Sequence, residues 1–505
     1  MAVPVAVNCY IDWNNDADFS DANEDVSTYL LAASVRRGRT SVNDEFAPGS
    51  MQVELLNTDG LFSPFNSSGA LYGNILPGRA IKLEAVHSAV TYPVFYGYIT
   101  DFQQARTPAD RPSVVINALD AFDVLRFGEV RTALLESKRV DELLTSILDS
   151  IGWSATLRDL DTAVQTCERF WQYRSNPLAA LRAAAKQELP GQLFMSPAGK
   201  VTFRNRNYRS AQPVYATITG PQAFGFTVRR SDFYDEIHHS RAGLVEDSSV
   251  TTLFTLSPQG RILMPGNTDP RNTVYFDLST GGKNLVSPVA VTDYNANSAA
   301  DGSGTDKTAQ VAVQSFTAYG GGGVVVFDNL DSSPVYLWGT PALQVRGTAI
   351  RRSTDERTIE VGGSAPLVSG QVLTDAFDWL DDVSAIDGYA HYRAAQLAIQ
   401  QPRPTIRLIP ADDSEMATVL GADLSKKVTV TNTTGLYPTQ VNEDFFIESM
   451  QISFSPGVLV DCQWGLFHKD LAGGSFFRIS GAAGGGADYS QIAAAAATTG
   501  DRIAY

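Results

Sequence analysis

The chain has 505 residues and a formal net charge of −16, from 39 Lys and Arg against 55 Asp and Glu. No basic run interrupts this acidic balance, which argues against a protein that grips a nucleic-acid backbone. Cys9, Cys167 and Cys462 are scattered without the paired spacing of a disulfide scaffold or zinc site, and no stretch of about 18 apolar residues suggests a membrane span. Met1 to Cys9 lacks a secretory-signal pattern, so the expectation is a soluble protein made in the cytoplasm.

Charged residues make up 19% of the chain, below the roughly 25% of an average soluble protein, while 41 Gly, 24 Pro and 19 Tyr point to turns and strands. The expected fold is mainly β, with roughly three or four domains for this length. Residues 1–127 read as short strands. Apolar positions alternate in Met51-Gln-Val-Glu-Leu55 and at Ile81, Leu83 and Ala85, with turns at Asn57-Thr-Asp-Gly60 and Pro77-Gly78.

From 128 to 214 the period changes, and a small α+β domain is expected. Val140, Leu143, Leu144, Ile147, Leu148 and Ile151 fall at helical spacing before Gly152. A second helix starts at the cap-and-proline pair Asn176-Pro177 and stops before Pro190-Gly191. Leu193 to Met195 and Val201 to Phe203 then flank Pro197-Ala-Gly199 as a hairpin.

Strand formers return over 215–380, at Val324-Val-Val-Phe327, Val335-Tyr-Leu-Trp338 and Leu343-Gln-Val345. Gly320-Gly-Gly-Gly323 reads as a flexible turn, since no helix follows that could make it a phosphate cradle. A helix capped by Ser384 carries Ile386, Tyr389, Ala390, Ala394 and Leu397 and ends at Gln401-Pro-Arg-Pro404. Closing strands are expected at Val428 to Val430, Phe445 to Ile447, Ile452 to Phe454 and Val458 to Val460. Residues 471–505, rich in Gly and Ala, read as a low-complexity arm that orders only against a partner.

One loop has the composition of a cation site. Asp12, Asn14, Asp16 and Asp18 place oxygens at alternate positions, as in calcium loops, with Asp21, Glu24 and Asp25 downstream. Ala17 stands where such loops use Gly, and Asn23 stands where they use a bidentate Glu, so a solvated hairpin tip competes with the calcium reading. Calcium is the one cofactor the sequence suggests. His238 and His239, beside Asp235 and Glu236, would point to opposite faces of a strand. The pairs Asp381-Asp382 and Asp412-Asp413 are ordinary in an acidic chain, and no nucleophile, zincin or P-loop motif is present, so no catalytic residue is nominated.

Two stretches resemble the tail hub, or minor tail, proteins of siphophages, a family related to the baseplate hub of contractile phages. The first runs from Tyr10-Ile-Asp-Trp-Asn-Asn-Asp-Ala-Asp-Phe-Ser20 through Val53-Glu-Leu-Leu-Asn57, Ser63-Pro-Phe-Asn66, Leu71-Tyr-Gly73 and Leu76-Pro-Gly-Arg79 to Tyr96-Gly-Tyr98. The second runs from Leu343-Gln-Val-Arg-Gly-Thr348 through the 385–400 helix and Pro402-Arg-Pro404 to Phe467. The resemblance implies two tail-tube-like β-barrel or sandwich domains per chain, at 1–127 and at 215–250 with 400–470. An inserted β-rich domain over 251–399 would end in the helix. It implies a homotrimeric ring at the virion's tail tip, giving six-fold pseudo-symmetry to the tube above. Partners would be the distal tail protein, the tape measure protein and tail-tip or receptor-binding proteins, with DNA passing through unbound.

An acidic channel wall would suit that passage, because it repels phosphate. Two other readings stand beside the structural one: a tail-associated cell-wall or glycan hydrolase, and a receptor- or carbohydrate-binding module built on the aromatic insert.

Overall fold

A computed structural model of the chain describes residues 5–468, apart from 42, 106–111, 229–233, 235, 257–259, 363–370, 398–402, 433–440 and 456–458. The expected 471–505 arm lies outside the described residues. Alternating side chains build six strands first: β1 (Ala6–Ile11), β2 (Leu30–Gly38), β3 (Ala47–Leu56), β4 (Ala80–His87), β5 (Val90–Ala105) and β6 (Ser113–Leu119). Met51, Val53 and Leu55 are buried on one face of β3, and Ile81, Leu83 and Ala85 on one face of β4. The six pair antiparallel in the order β1-β4-β5-β6-β3-β2.

Six further strands follow: β7 (Val214–Thr219), β8 (Ala223–Thr227), β9 (Arg403–Leu408), β10 (Lys427–Asn432), β11 (Val441–Ser455) and β12 (Leu459–His468). Their order is β7-β10-β11-β12-β9-β8. Each label is the corresponding first-set label plus six, so the chain carries one topology twice.

Fine irregularities repeat as well. The bulge between Ile99 and Asp101 in β5 recurs between Ile447 and Ser449 in β11. Gly78 (φ 85°) and Ser425 (φ 67°) are both left-handed, and their N–H groups donate to Ile99 O and Ile447 O, each at 2.7 Å. One pairing differs: β1 runs antiparallel to β4, whereas β7 runs parallel to β10.

The two repeats are joined edge to edge. Ala33–Gly38 of β2 pairs antiparallel with Ser449–Phe454 of β11, giving one twelve-stranded sheet. The two β-units that the sequence suggested, of barrel or sandwich type, thus share one sheet. β11 outruns its partner β10, and the free half of its edge takes up β2. Among the described residues the merged sheet is open, with β1, β7 and β8 as its end strands.

Between the repeats, the helix Val140–Ser150 buries Val140, Leu143, Leu144, Ile147 and Leu148, and Gly152 follows it at φ 71°. The helix Pro177–Ala185 is capped by Asn176, whose Oδ1 accepts from Ala179 N at 2.8 Å. The hairpin Gln192–Met195 with Val201–Arg204 lies where the turn chemistry put it.

The insertion leaves the second repeat after β8 and returns at β9. Its longest strand, Glu236–Leu256, pairs with Leu343–Gly362. The sequence assigned residues up to 250 to the second tube-like domain, but from Glu236 onward their partners lie in the insertion. The helix Val383–Leu397 buries Ile386, Ala390 and Ala394. Its N-terminus is held by Asp382 and not by Ser384, because Asp382 Oδ1 accepts both Ala385 N at 3.1 Å and Ser384 Oγ at 2.6 Å. The glycine run at 320–323 is a packing requirement more than a flexible turn. A Cβ on Gly320 would lie 2.3 Å from Trp171 Cβ, and Gly320 N donates to Thr132 O at 3.0 Å. Tyr173 Oη donates to Phe276 O at 2.9 Å, so the insertion is docked onto the helical segment.

Candidate functional site

The most specific assembly of polar side chains lies under the junction between the repeats. Glu448 occupies the β11 bulge and is fully buried. Its Oε2 accepts from Arg39 Nε at 2.7 Å, and its Oε1 lies 2.5 Å from Arg209 Nη1. Burial alone would raise the Glu448 pKa, but the Arg209 and Arg39 guanidinia outweigh it and hold the carboxyl below its usual range. Arg209 Nε also donates to Ser425 Oγ at 2.7 Å. Beside it Arg37 reaches Asp423 at 2.9 Å and Met195 O at 2.6 Å. Gly38 ends the junction at φ 114°, where a Cβ would lie 2.2 Å from Glu448 O. These groups tie β2, β11 and the helical segment together, and they are structural. No local pattern of residues signals them, because the partners are far apart in the chain.

The sheet's outward face is polar along the joined half. Gln52, Asn117, Ser34, Gln451, Gln463 and Thr405 alternate with buried neighbours, and Gln103 is exposed beside them in β5. Gln52 Nε2 donates to Asn117 Oδ1 at 3.1 Å, and Asn117 Nδ2 to Asp101 Oδ1 at 2.8 Å. That Asn117 bond, with others from Gln103 and Thr100, holds Asp101 below the usual carboxylate range. The face also carries Glu54 and Asp461, against Arg36, Arg403 and Arg407, with Arg407 paired to Asp461 at 2.7 Å. Its charge is therefore near balance, and the acidic excess lies elsewhere.

Part of that excess is the Asp12 loop. Asp12, Asp16 and Glu24 bring carboxylate oxygens within 4.8 Å of one another. Asp12 is buried and accepts from Asn15 N, Asp16 N and Ala17 N. The other two expected ligands serve the loop itself. Asn14 Nδ2 donates to Asp16 and Asp21, while Asp18 Oδ1 accepts from Ser20. Glu24, seen in the sequence only as a downstream acid, is 1% exposed, and its Oε1 has no hydrogen-bond partner. Burial, then the charges of Asp12 and Asp21, raise its pKa.

His238 is partly exposed and sits 2.9 Å from Glu236, whereas His239 is buried against Phe377 and Tyr389, so the strand does separate them. Asp235 lies outside the described residues. Asp412 Oδ1 accepts from Glu415 N at 2.8 Å as a helix cap, and Asp381 pairs with Arg241 at 2.9 Å.

No family model matches the chain, and no curated protein matches it. Among solved structures it is similar to a prophage MuSo2 tail protein from Shewanella oneidensis and a tail protein from Neisseria meningitidis MC58. Each is 8% identical with a TM-score of 0.48, covering 93% of this chain and 99% of that one. It is also similar to the prophage tail protein gp18 from Listeria monocytogenes EGD-e, at 10% identity and a TM-score of 0.39, covering 92% and 95%. No described helix is long and apolar enough to cross a membrane.

Proposed function

We propose that the chain is a structural hub of a phage-type tail, located at the virion's tail tip. Three copies would form a ring that continues the tail tube and anchors tail-tip components. The carrying observation is the duplicated six-stranded unit joined edge to edge, since a subunit built of two like units side by side is one arc of a ring with twice as many units as copies. Closing the arc leaves the polar sheet face as a wall. We assign that face to the channel, because the opposite face is committed to the core. Amides and hydroxyls with balanced charge exchange few counterions with passing phosphate, so DNA slides without being held.

The neighbours in this reading are the distal tail, tape measure and receptor-binding proteins. The domain division is 1–127, 128–214, a discontinuous second tube-like unit and the insertion, and the chain is not an enzyme. Size determination of the purified protein tests the ring: a closed trimer supports it, and a strict monomer at tens of micromolar removes it.

The same reading includes a calcium ion at the Asp12 loop, with Glu24 joining Asp12 and Asp16. The unpartnered, buried Glu24 Oε1 supports it. Calcium should raise the melting temperature of chelated protein by mass action, and Glu24→Gln should abolish that rise. An unchanged melting temperature at millimolar calcium refutes the site.

A further inference from the structure

The internal junction specifies what should pair with the two strand edges that the repeat leaves open. In the first repeat, β2 is hydrogen-bonded on both sides, to β3 and β11. Its equivalent β8 is bonded to β9, and among the described residues no strand lies on its other side. Likewise the stretch of β11 that receives β2 corresponds to Asp101–Ala105 of β5. That stretch is bonded to β6, and no described strand lies on the side where β4 has ended. One molecule thus presents both halves of a junction it has already made once.

The registers fix the correspondence. Aligned through their partners, Ala33 and Ser34 of β2 match Phe224 and Gly225 of β8, and Val35, Arg36 and Arg37 match Phe226, Thr227 and Val228. Met450 to Ser453 of β11 match Phe102 to Ala105 of β5. Asp423, two residues before the left-handed Ser425, matches Leu76, two before the left-handed Gly78.

We propose that β8 of one copy adds antiparallel to β5 of the next, with Gly225 opposite Ala105, Phe226 opposite Gln104 and Thr227 opposite Gln103. This deepens the hub reading by naming the surfaces that meet, and its occupant is a second copy of this chain. The exposed side chains on these edges suit such a junction. Val35 is 2% exposed within the internal junction, whereas its match Phe226 is 47% exposed. The internal ion pair of Arg37 with Asp423 is matched by Val228 and Leu76, which are 57% and 48% exposed. An apolar pair replacing an ion pair leaves exposed apolar surface that a neighbouring copy would bury. Strand addition supplies the backbone bonds, and these side chains supply the register.

Cysteine pairing tests this with an internal control. Ser34 Oγ and Ser453 Oγ are 3.2 Å apart, so S34C with S453C should close a bond within one chain. The matching pair, G225C with A105C, should instead link chains into a ladder ending at the closed oligomer. A Cβ at Gly225 meets nothing within 4 Å, so the substitution itself is tolerated. The native cysteines are buried, with thiol pKa values raised to about 12, and should stay silent. T227C with A105C, two residues out of register, should link at least tenfold less. If the wild type is a ring by mass and the control closes but the G225C/A105C ladder is absent, or the out-of-register pair links equally well, the register is wrong and the ring stands. A monomeric wild type overturns both.

Discussion

Glu448 concentrates the energetics of the molecule at one residue. Its carboxylate is fully buried between Arg39 and Arg209, themselves nearly buried, so removing one partner strands a charge in low dielectric. Arg209→Ala should cost about 3–5 kcal/mol of stability, read as a shift in denaturant midpoint. The pH dependence follows from the depressed Glu448 pKa. Its stabilisation is full above the unfolded carboxyl value of about 4.3 and is lost as pH falls through the lower folded value. Glu448→Gln should flatten that acid limb, and an unchanged limb would contradict the assignment. Gly38→Ala meets both a left-handed φ and the Glu448 carbonyl, so it should destabilise by about 1–3 kcal/mol. A neutral Gly38→Ala would mean that the junction is looser than described. None of this was legible in the sequence. Arg39 and Glu448 are ordinary charges until a fold brings them together, whereas Asp12 and Asp16 were visible because their spacing is local.

Single helices and strands carry their signals locally. The helices Val140–Ser150 and Pro177–Ala185 carried their period, cap or stop within a dozen residues, and β3 and β4 showed clean alternation. What the sequence hid was the repeat. Matched positions do not share identity: Ile116 answers to Trp464 and Thr100 to Glu448, and a long insertion separates β8 from β9. The pairing of the strand Glu236–Leu256 is hidden for a related reason, since its partner Leu343–Gly362 lies far away in the chain. The open edge of β8 gives its own prediction. Phe226→Asp and Val228→Asp place charge on side chains already about half exposed in one subunit. They should weaken self-association at least tenfold while leaving the subunit's melting temperature within a few degrees. A large fall in melting temperature would instead place these residues in the subunit's own core.

For the whole molecule, composition bounded the class correctly: the fold is mainly β, as the Gly- and Pro-rich, weakly charged sequence implied. It was a poorer guide to where the charge sits. The net −16 suggested an acidic channel wall, yet the polar sheet face balances Glu54, Asp101 and Asp461 against Arg36, Arg403 and Arg407. On this account DNA ejection should depend only weakly on ionic strength at that wall, because little net charge is there to screen. If two like units per chain form a closed ring around a channel, electron cryomicroscopy of the assembled tail tip should show it. Three copies are expected around the tail axis, seen as six similar six-stranded units whose sheet is continuous across every boundary and whose amide-rich face lines the lumen. A single copy lying off the axis, or copies that meet through the 236–397 insertion with the edges of β5 and β8 left in solvent, would contradict it.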